Sequence, residues 1–130
     1  MRLLLDTHAL YWYVVGDSKL SKAAEKVIQD ISNEILISPA SYWEIAIKVR
    51  LGKWTLVRPF SDFVEIALNQ YGFRILPILP NHANKLIELV NLPDHKDPFD
   101  RMLVAQSIDE SIPLVSSDPK LDAYGINRIW

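Results

Sequence analysis

The sequence predicts an α/β fold, three layers deep, with a mainly parallel central sheet flanked by helices. Short continuous apolar runs alternate with segments of helical period, and a strand buried on both faces reads as such a run. Helix-start signals, Ser or Asp followed by Pro, stand between the runs. No repeat, low-complexity tract or linker divides the 130 residues, so one domain over residues 1–130 is expected.

Arg2 to Leu5 is an apolar run ended by Asp6-Thr7, which suits a buried strand followed by a helix to about Val15. Ser21 opens a second helix, in which Ala24, Val27, Ile28 and Ile31 recur at intervals of three and four and Asn33 is the expected stop. Glu34 to Ile37 reads as the next strand. Ser38-Pro39 starts a helix through Trp43, Ile45, Ile47 and Val49 to Gly52. Ser61 is expected to cap a helix ending near Gly72. Phe73 to Ile78 reads as a third strand, Asn81 to Val90 as a helix, and Asp97-Pro98 as the cap of another through Met102, Leu103 and Ala105. Ile112 to Val115 supplies a fourth strand. After Asp118-Pro119 and Gly125, Asn127 to Trp130 closes the chain as a short apolar strand.

A composition 49% hydrophobic and 10% aromatic can fill a core, yet no window approaches the roughly 20 apolar residues of a membrane span. No membrane association is expected, and a cytoplasmic location follows. The absence of cysteine excludes disulfides, thiolate metal sites and a cysteine nucleophile, and 3 scattered histidines leave little for zinc. Any metal must be held mainly by oxygen. A net charge of −2 is not the broad basic surface of a general nucleic-acid coat, so a nucleic-acid substrate would need a local patch.

In parallel α/β sheets ligands bind beyond the carboxyl ends of the strands, and acids fall there: Asp6, Glu44, Asp97, Asp100 and Asp118. Each has a capping reading as well. Asp97 and Asp118 precede prolines, Asp100 would lie in a first helical turn, and Glu44 could form a capping box with Ser41. Asp6, ending a central strand, is the hardest to read as a cap alone. As a group the acids would repel by about 4 kcal/mol per pair at about 4 Å and an effective dielectric of about 20. Such a cluster needs a cation, and carboxylate ligation selects Mg²⁺ or Mn²⁺. Phosphoester cleavage is the chemistry implied.

Leu4-Leu5-Asp6-Thr7-His8, Ser41-Tyr42-Trp43-Glu44, His95-Lys96-Asp97-Pro98-Phe99-Asp100-Arg101 and Ser116-Ser117-Asp118 follow one another along essentially the whole chain. In these residues the sequence resembles the PIN-domain nucleases, especially the VapC-like toxins. Asp6, Glu44, Asp100 and Asp118 match the family's four acids in order, and Asp97 is an extra acid of the late motif. The resemblance implies a metal-dependent ribonuclease, with one or two ions, that hydrolyses an RNA phosphodiester in line and leaves a 5′-phosphate. Asp6 and Asp100 would be the central ligands, with Glu44 and Asp118 binding metal or orienting its water. It further implies a toxin paired with a cognate antitoxin, and a homodimer.

Around these acids the alternatives stay open. Thr7 could hydrogen-bond a carboxylate or a metal's water, or simply cap; Arg101 could clamp a phosphate or pair with Asp97 one turn earlier. His95 reads as a proton shuttle or as a solvated loop histidine, the latter being the expectation. Lys48, Arg50, Lys53 and Arg58 around Trp54 could hold a phosphate backbone and stack a base, or form a solvated helix end. Tyr11, Trp12, Tyr13, Tyr42 and Trp43 divide between core and an interface surface. A phosphoacceptor receiver would want an acidic pair after its first strand, and a haloacid-type hydrolase Asp-x-Asp, whereas this chain has Asp6-Thr7-His8. A PIN-like scaffold that binds RNA without cutting it is the remaining alternative, and the full set of acids speaks against it.

Overall fold

The computed structural model describes residues 1–130. Its elements are β1 (Arg2–Leu5), α1 (Thr7–Val15), α2 (Lys22–Gln29), β2 (Glu34–Ile37), α3 (Pro39–Arg50), α4 (Phe60–Glu65), β3 (Arg74–Ile75), α5 (Pro80–Glu88), α6 (Pro98–Glu110), β4 (Leu114–Val115) and β5 (Arg128–Ile129). A π-helical turn, Ile66–Gln70, prolongs α4, and a 3₁₀ helix, Pro119–Tyr124, precedes β5. The sheet has five strands in the order β3-β2-β1-β4-β5, and every pair is parallel.

Alternate residues of the central strand serve opposite faces, as the strand period requires. Leu3 and Leu5 join Ile35, Ile37, Ala9, Leu10, Ile45 and Phe63 in one core, while Leu4 joins Leu36, Leu103, Val104 and Leu114 in the other. This makes three layers. The strand order reverses at β1, with β2 on one side and β4 on the other, so the connections leaving β1 and β4 diverge and open a crevice at the carboxyl edge.

Several boundaries differ from the sequence expectation. α2 stops at Gln29, not Asn33, because Asn33 folds back and its side-chain amide donates to the Val27 carbonyl at 2.9 Å. α4 starts behind Pro59 with no side-chain cap, so Ser61 is not the cap. The third strand is only Arg74–Ile75, extended by the Leu76 N–H on the Ile37 carbonyl at 2.9 Å; Pro77 has no proton to continue the ladder.

α6 ends at Ser111 in the left-handed region, φ 55°, a conformation costly for a residue with a Cβ. Ser111→Gly should raise stability by about 0.5–1 kcal/mol in urea unfolding with activity unchanged. A destabilised variant would show that the serine side chain has a stabilising role of its own.

Candidate active site

Four carboxylates come together at the crevice because each follows from a local rule of the fold. Asp6 is the first residue beyond β1: its N–H still donates to the Val115 carbonyl at 3.0 Å, and its Oδ1 caps α1 by accepting the Ala9 N–H at 2.8 Å. The register that sets Leu5 against Ile37 and Val115 brings Ser38 and Ser116 up beside it. Ser38 caps α3 through the Ala40 N–H, which puts Glu44 inward on the second turn. Ser41 lies within α3, so the Ser41–Glu44 capping box does not form. Asp97 caps α6 through the N–H groups of Phe99 and Asp100 at 2.9 and 3.0 Å, leaving the Asp100 carboxylate for the crevice. Asp118 caps the 3₁₀ helix with Oδ1, on Lys120 N–H at 3.0 Å.

Capping and site membership are therefore not alternatives for Asp6 and Asp118. One oxygen caps and the other is left over. For the exposed Asp97, capping is the whole of its observed contact set.

The electrostatics are those of crowded, desolvated acids. Burial pushes the Asp6 carboxyl up to about 6, opposed by hydrogen bonds from Ser116 and Ala9 and reinforced by the charges of Glu44 and Asp118. Burial likewise pushes Asp100 up to about 7, with Asp97, Asp6, Glu44 and Asp118 all adding repulsion. Glu44 is buried; its Oε2 pairs with Lys48 Nζ at 2.9 Å, while its Oε1 has no partner at all. An acceptor orphaned in the interior costs about 1–3 kcal/mol or more. A divalent cation fits this donor set: it would satisfy Glu44 Oε1 and offset the repulsion felt by Asp6 and Asp100.

The neighbours fall differently from expectation. Thr7 is buried and donates to Ser41 Oγ at 3.2 Å, not to a carboxylate. Arg101 does not pair with Asp97; its Nη1 donates to the Val90 carbonyl at 3.1 Å and to the Tyr124 hydroxyl at 3.0 Å. Of the basic group, Lys48 turns inward to Glu44 and lies 4.5 Å from the centroid of the Trp54 ring, against which Tyr11 stacks at 4.5 Å. Trp54 is half-buried and packed among Lys48, Tyr11 and the edge-on ring of His8 at 5.1 Å, so it is not a free-standing solvated tryptophan. Tyr11, Trp12, Tyr13 and Tyr42 pack against the core; Trp43 alone of these is exposed, at 65%, with Phe99 edge-on at 5.3 Å.

Sequence reasoning missed three participants. Ser116 is fully buried beside Asp6, where its hydroxyl favours the ionised carboxylate, and its Oγ accepts the Asp118 N–H at 3.1 Å. Lys48 read as surface charge, although its position four residues after Glu44 was a usable signal. His95, expected in solvent, is buried, with Nε2 3.4 Å from Asp100 Oδ2 and 4.0 Å from Asp118 Oδ2. A second histidine–carboxylate group, His82 with Asp109 and Glu110, is a helix cap: Nδ1 accepts the Leu79 N–H at 3.0 Å, so Nε2 carries the proton toward Glu110 and is closed to a metal.

No helix is long and apolar enough to cross a membrane. Over 123 residues the chain is 27% identical to Ribonuclease VapC22 of Mycobacterium tuberculosis, covering 94% of this chain and 91% of that protein. Its fold is shared with VapBC2 of Rickettsia felis, solved bound to a promoter DNA fragment, at TM-score 0.68 and 16% identity over 98% of this chain and 97% of that one. It is shared equally with M. tuberculosis VapC20, a sarcin-ricin-loop-cleaving toxin, at TM-score 0.65 and 18% identity over 95% of both chains. Residues 3–127 match the PIN domain model, and with that match over nearly its whole length the chain belongs to the PIN domain family.

Proposed function

We propose that this protein is a metal-dependent endoribonuclease and the toxin of a toxin–antitoxin pair, with Asp6, Glu44, Asp100 and Asp118 as its catalytic carboxylates. The observation that carries the reading is the convergence of four acids on one crevice, with a buried Glu44 oxygen unpartnered and two carboxyls raised to about 6 and about 7. Stable proteins avoid such an arrangement unless something positive completes it. Mg²⁺ or Mn²⁺ is the ion the oxygen donors select, and when bound it supplies Lewis-acid stabilisation of phosphate charge and a more acidic water. Asp6 and Asp100 are the central ligands; Glu44 and Asp118 ligate or orient water.

The chain's own residues do the positioning. Asp6 and Asp118 are fixed by their capping bonds, and Lys48 holds Glu44 in one rotamer. Trp43, exposed beside Glu44, is the aromatic face open to a base of single-stranded RNA. Asp97 shapes the start of α6 and adds negative charge to the crevice without ligating; Thr7 and Arg101 brace the elements that carry the acids.

The names of the similar proteins, among them a ribonuclease and a sarcin-ricin-loop-cleaving toxin, support the same reading, and the fold shared with VapBC2 accords with it. A homodimer acting in the cytoplasm accords with it. Purified protein should cut single-stranded RNA in Mg²⁺ or Mn²⁺ and stop in EDTA; its expression should arrest growth, with co-expressed antitoxin restoring it. Intact RNA after incubation with folded, Mn²⁺-supplied protein would sink the nuclease, and harmless expression without a partner would sink the toxin alone.

A further inference from the structure

We propose that His95 is a positioning residue: a hydrogen-bond chain Arg101–Tyr124–His95 aims its Nε2–H between Asp100 and Asp118 and holds both carboxylates toward the metal. The inference rests on the nuclease reading above for its purpose, and on hydrogen-bond geometry for its content.

The chain begins at Arg101, which can only donate. Its Nη1 gives one bond to the Val90 carbonyl, at 3.1 Å, and one to the Tyr124 hydroxyl oxygen, at 3.0 Å. The guanidinium also lies 5.8 Å over the Tyr124 ring, so the tyrosine is held from two directions. Tyr124 has a single hydroxyl proton, and the acceptor within reach is His95 Nδ1 at 2.7 Å. Donation to Nδ1 makes that nitrogen an acceptor. The ring proton then sits on Nε2.

Nε2 is the end of the chain that faces the site. His95 is only 6% exposed and Nε2 makes no hydrogen bond of good geometry; its nearest acceptors are Asp100 Oδ2 at 3.4 Å and Asp118 Oδ2 at 4.0 Å. One proton between two carboxylates reduces their mutual repulsion and draws them to the same side. A direct role as metal ligand requires the opposite tautomer, with a lone pair on Nε2 and the proton on Nδ1 donating to Tyr124. Tyr124 would then accept from both Arg101 and His95, and its own proton would lose the only protein acceptor it has.

The tautomer is readable in the intact protein by NMR of ¹⁵N-labelled histidine rings, with and without Mg²⁺, the His95 signals being assigned by their loss in His95→Gln. The expected pattern is a protonated Nε2 and an unprotonated Nδ1 in both states. Titration calorimetry with Mn²⁺ should show affinity lowered about 10- to 100-fold in His95→Ala and in Tyr124→Phe. His95→Gln, whose amide places an N–H donor near the Nε2 position, should recover most of that loss. An unprotonated Nε2, two protonated ring nitrogens, unchanged Mn²⁺ affinity in Tyr124→Phe, or a His95→Gln no better than His95→Ala overturns the proposal. If His95→Ala does not fold, the wild-type ring signals and Tyr124→Phe still decide it. A wild-type protein that fails to cut RNA overturns the nuclease reading and alters none of these signals, so the two failures are distinguishable.

Discussion

Asp100→Asn should be at least as stable as the wild-type protein above pH 7 and should cleave RNA about 10³-fold more slowly or not at all. The rate loss follows from removing a central charge where phosphate charge must be balanced: about 4 kcal/mol of lost transition-state stabilisation is a factor of about 10³. The stability follows from what Asp100 does in the folded chain. Asp97, not Asp100, caps α6, so no cap is lost. The Asp100 carboxyl is pushed up to about 7 by burial and by four neighbouring acids, so above pH 7 its ionised form strains the site and neutral asparagine relieves it. The lost favourable interaction with the α6 amino end is worth under about 1 kcal/mol. Urea unfolding at pH 8 and an RNA cleavage assay on the same preparations check both halves. A variant that is destabilised by several kcal/mol would assign Asp100 a structural role, and one that is folded and active would remove it from the site.

The metal-free protein should lose stability as pH rises from about 4 to about 8, and Mn²⁺ should restore it. Asp6 and Asp100 have folded-state values near 6 and near 7, above an ordinary aspartate at 3.8. The folded state therefore binds more protons than the unfolded state across that interval, and stability falls as pH rises through it. Below pH 4 both groups are protonated in either state and their contribution is fully present. Above about pH 7 it is gone, a total on the order of several kcal/mol. A cation that binds only the folded site reverses this, by about 2.7 kcal/mol at 100 times its dissociation constant. The Mn²⁺-induced rise in Tm should accordingly be large at pH 8 and small at pH 5, where protons compete. Asp6→Asn should diminish it at both. Melting curves across pH with EDTA or millimolar Mn²⁺ measure this directly, and a Tm indifferent to Mn²⁺ at pH 8 would contradict the cation site.

Both results depend on carboxylates whose position could be read from the chain but whose environment could not. Asp6 after an apolar run, Asp97 and Asp118 before prolines, and Asp100 three residues into a helix are local patterns, and the structure sets these residues at the strand and helix ends expected of them. Reading capping and site roles as rivals was the error at Asp118. A carboxylate has two oxygens, and a short side chain at a helix start can spend one on the backbone.

The sequence by itself determined the alternation of strands and helices, the parallel sheet, and the edge at which the acids gather. Apolar period, caps and prolines act within a few residues, so those features are written where they are used. Only the tertiary structure decided which side chains complete the site. His95 is buried because Tyr124, 29 residues later, lies against it, and Arg101 leaves Asp97 for the same tyrosine. Trp54, in the segment after α3, is packed against Tyr11 of α1, whereas Trp43 is the exposed aromatic next to Glu44 in α3. The third strand's place at the sheet edge was likewise settled by the packing, although Pro77, which ends its ladder, was already legible in the chain. Such contacts join segments far apart in the chain, and their partners are chosen by how layers pack and which polar groups must be satisfied once water is excluded.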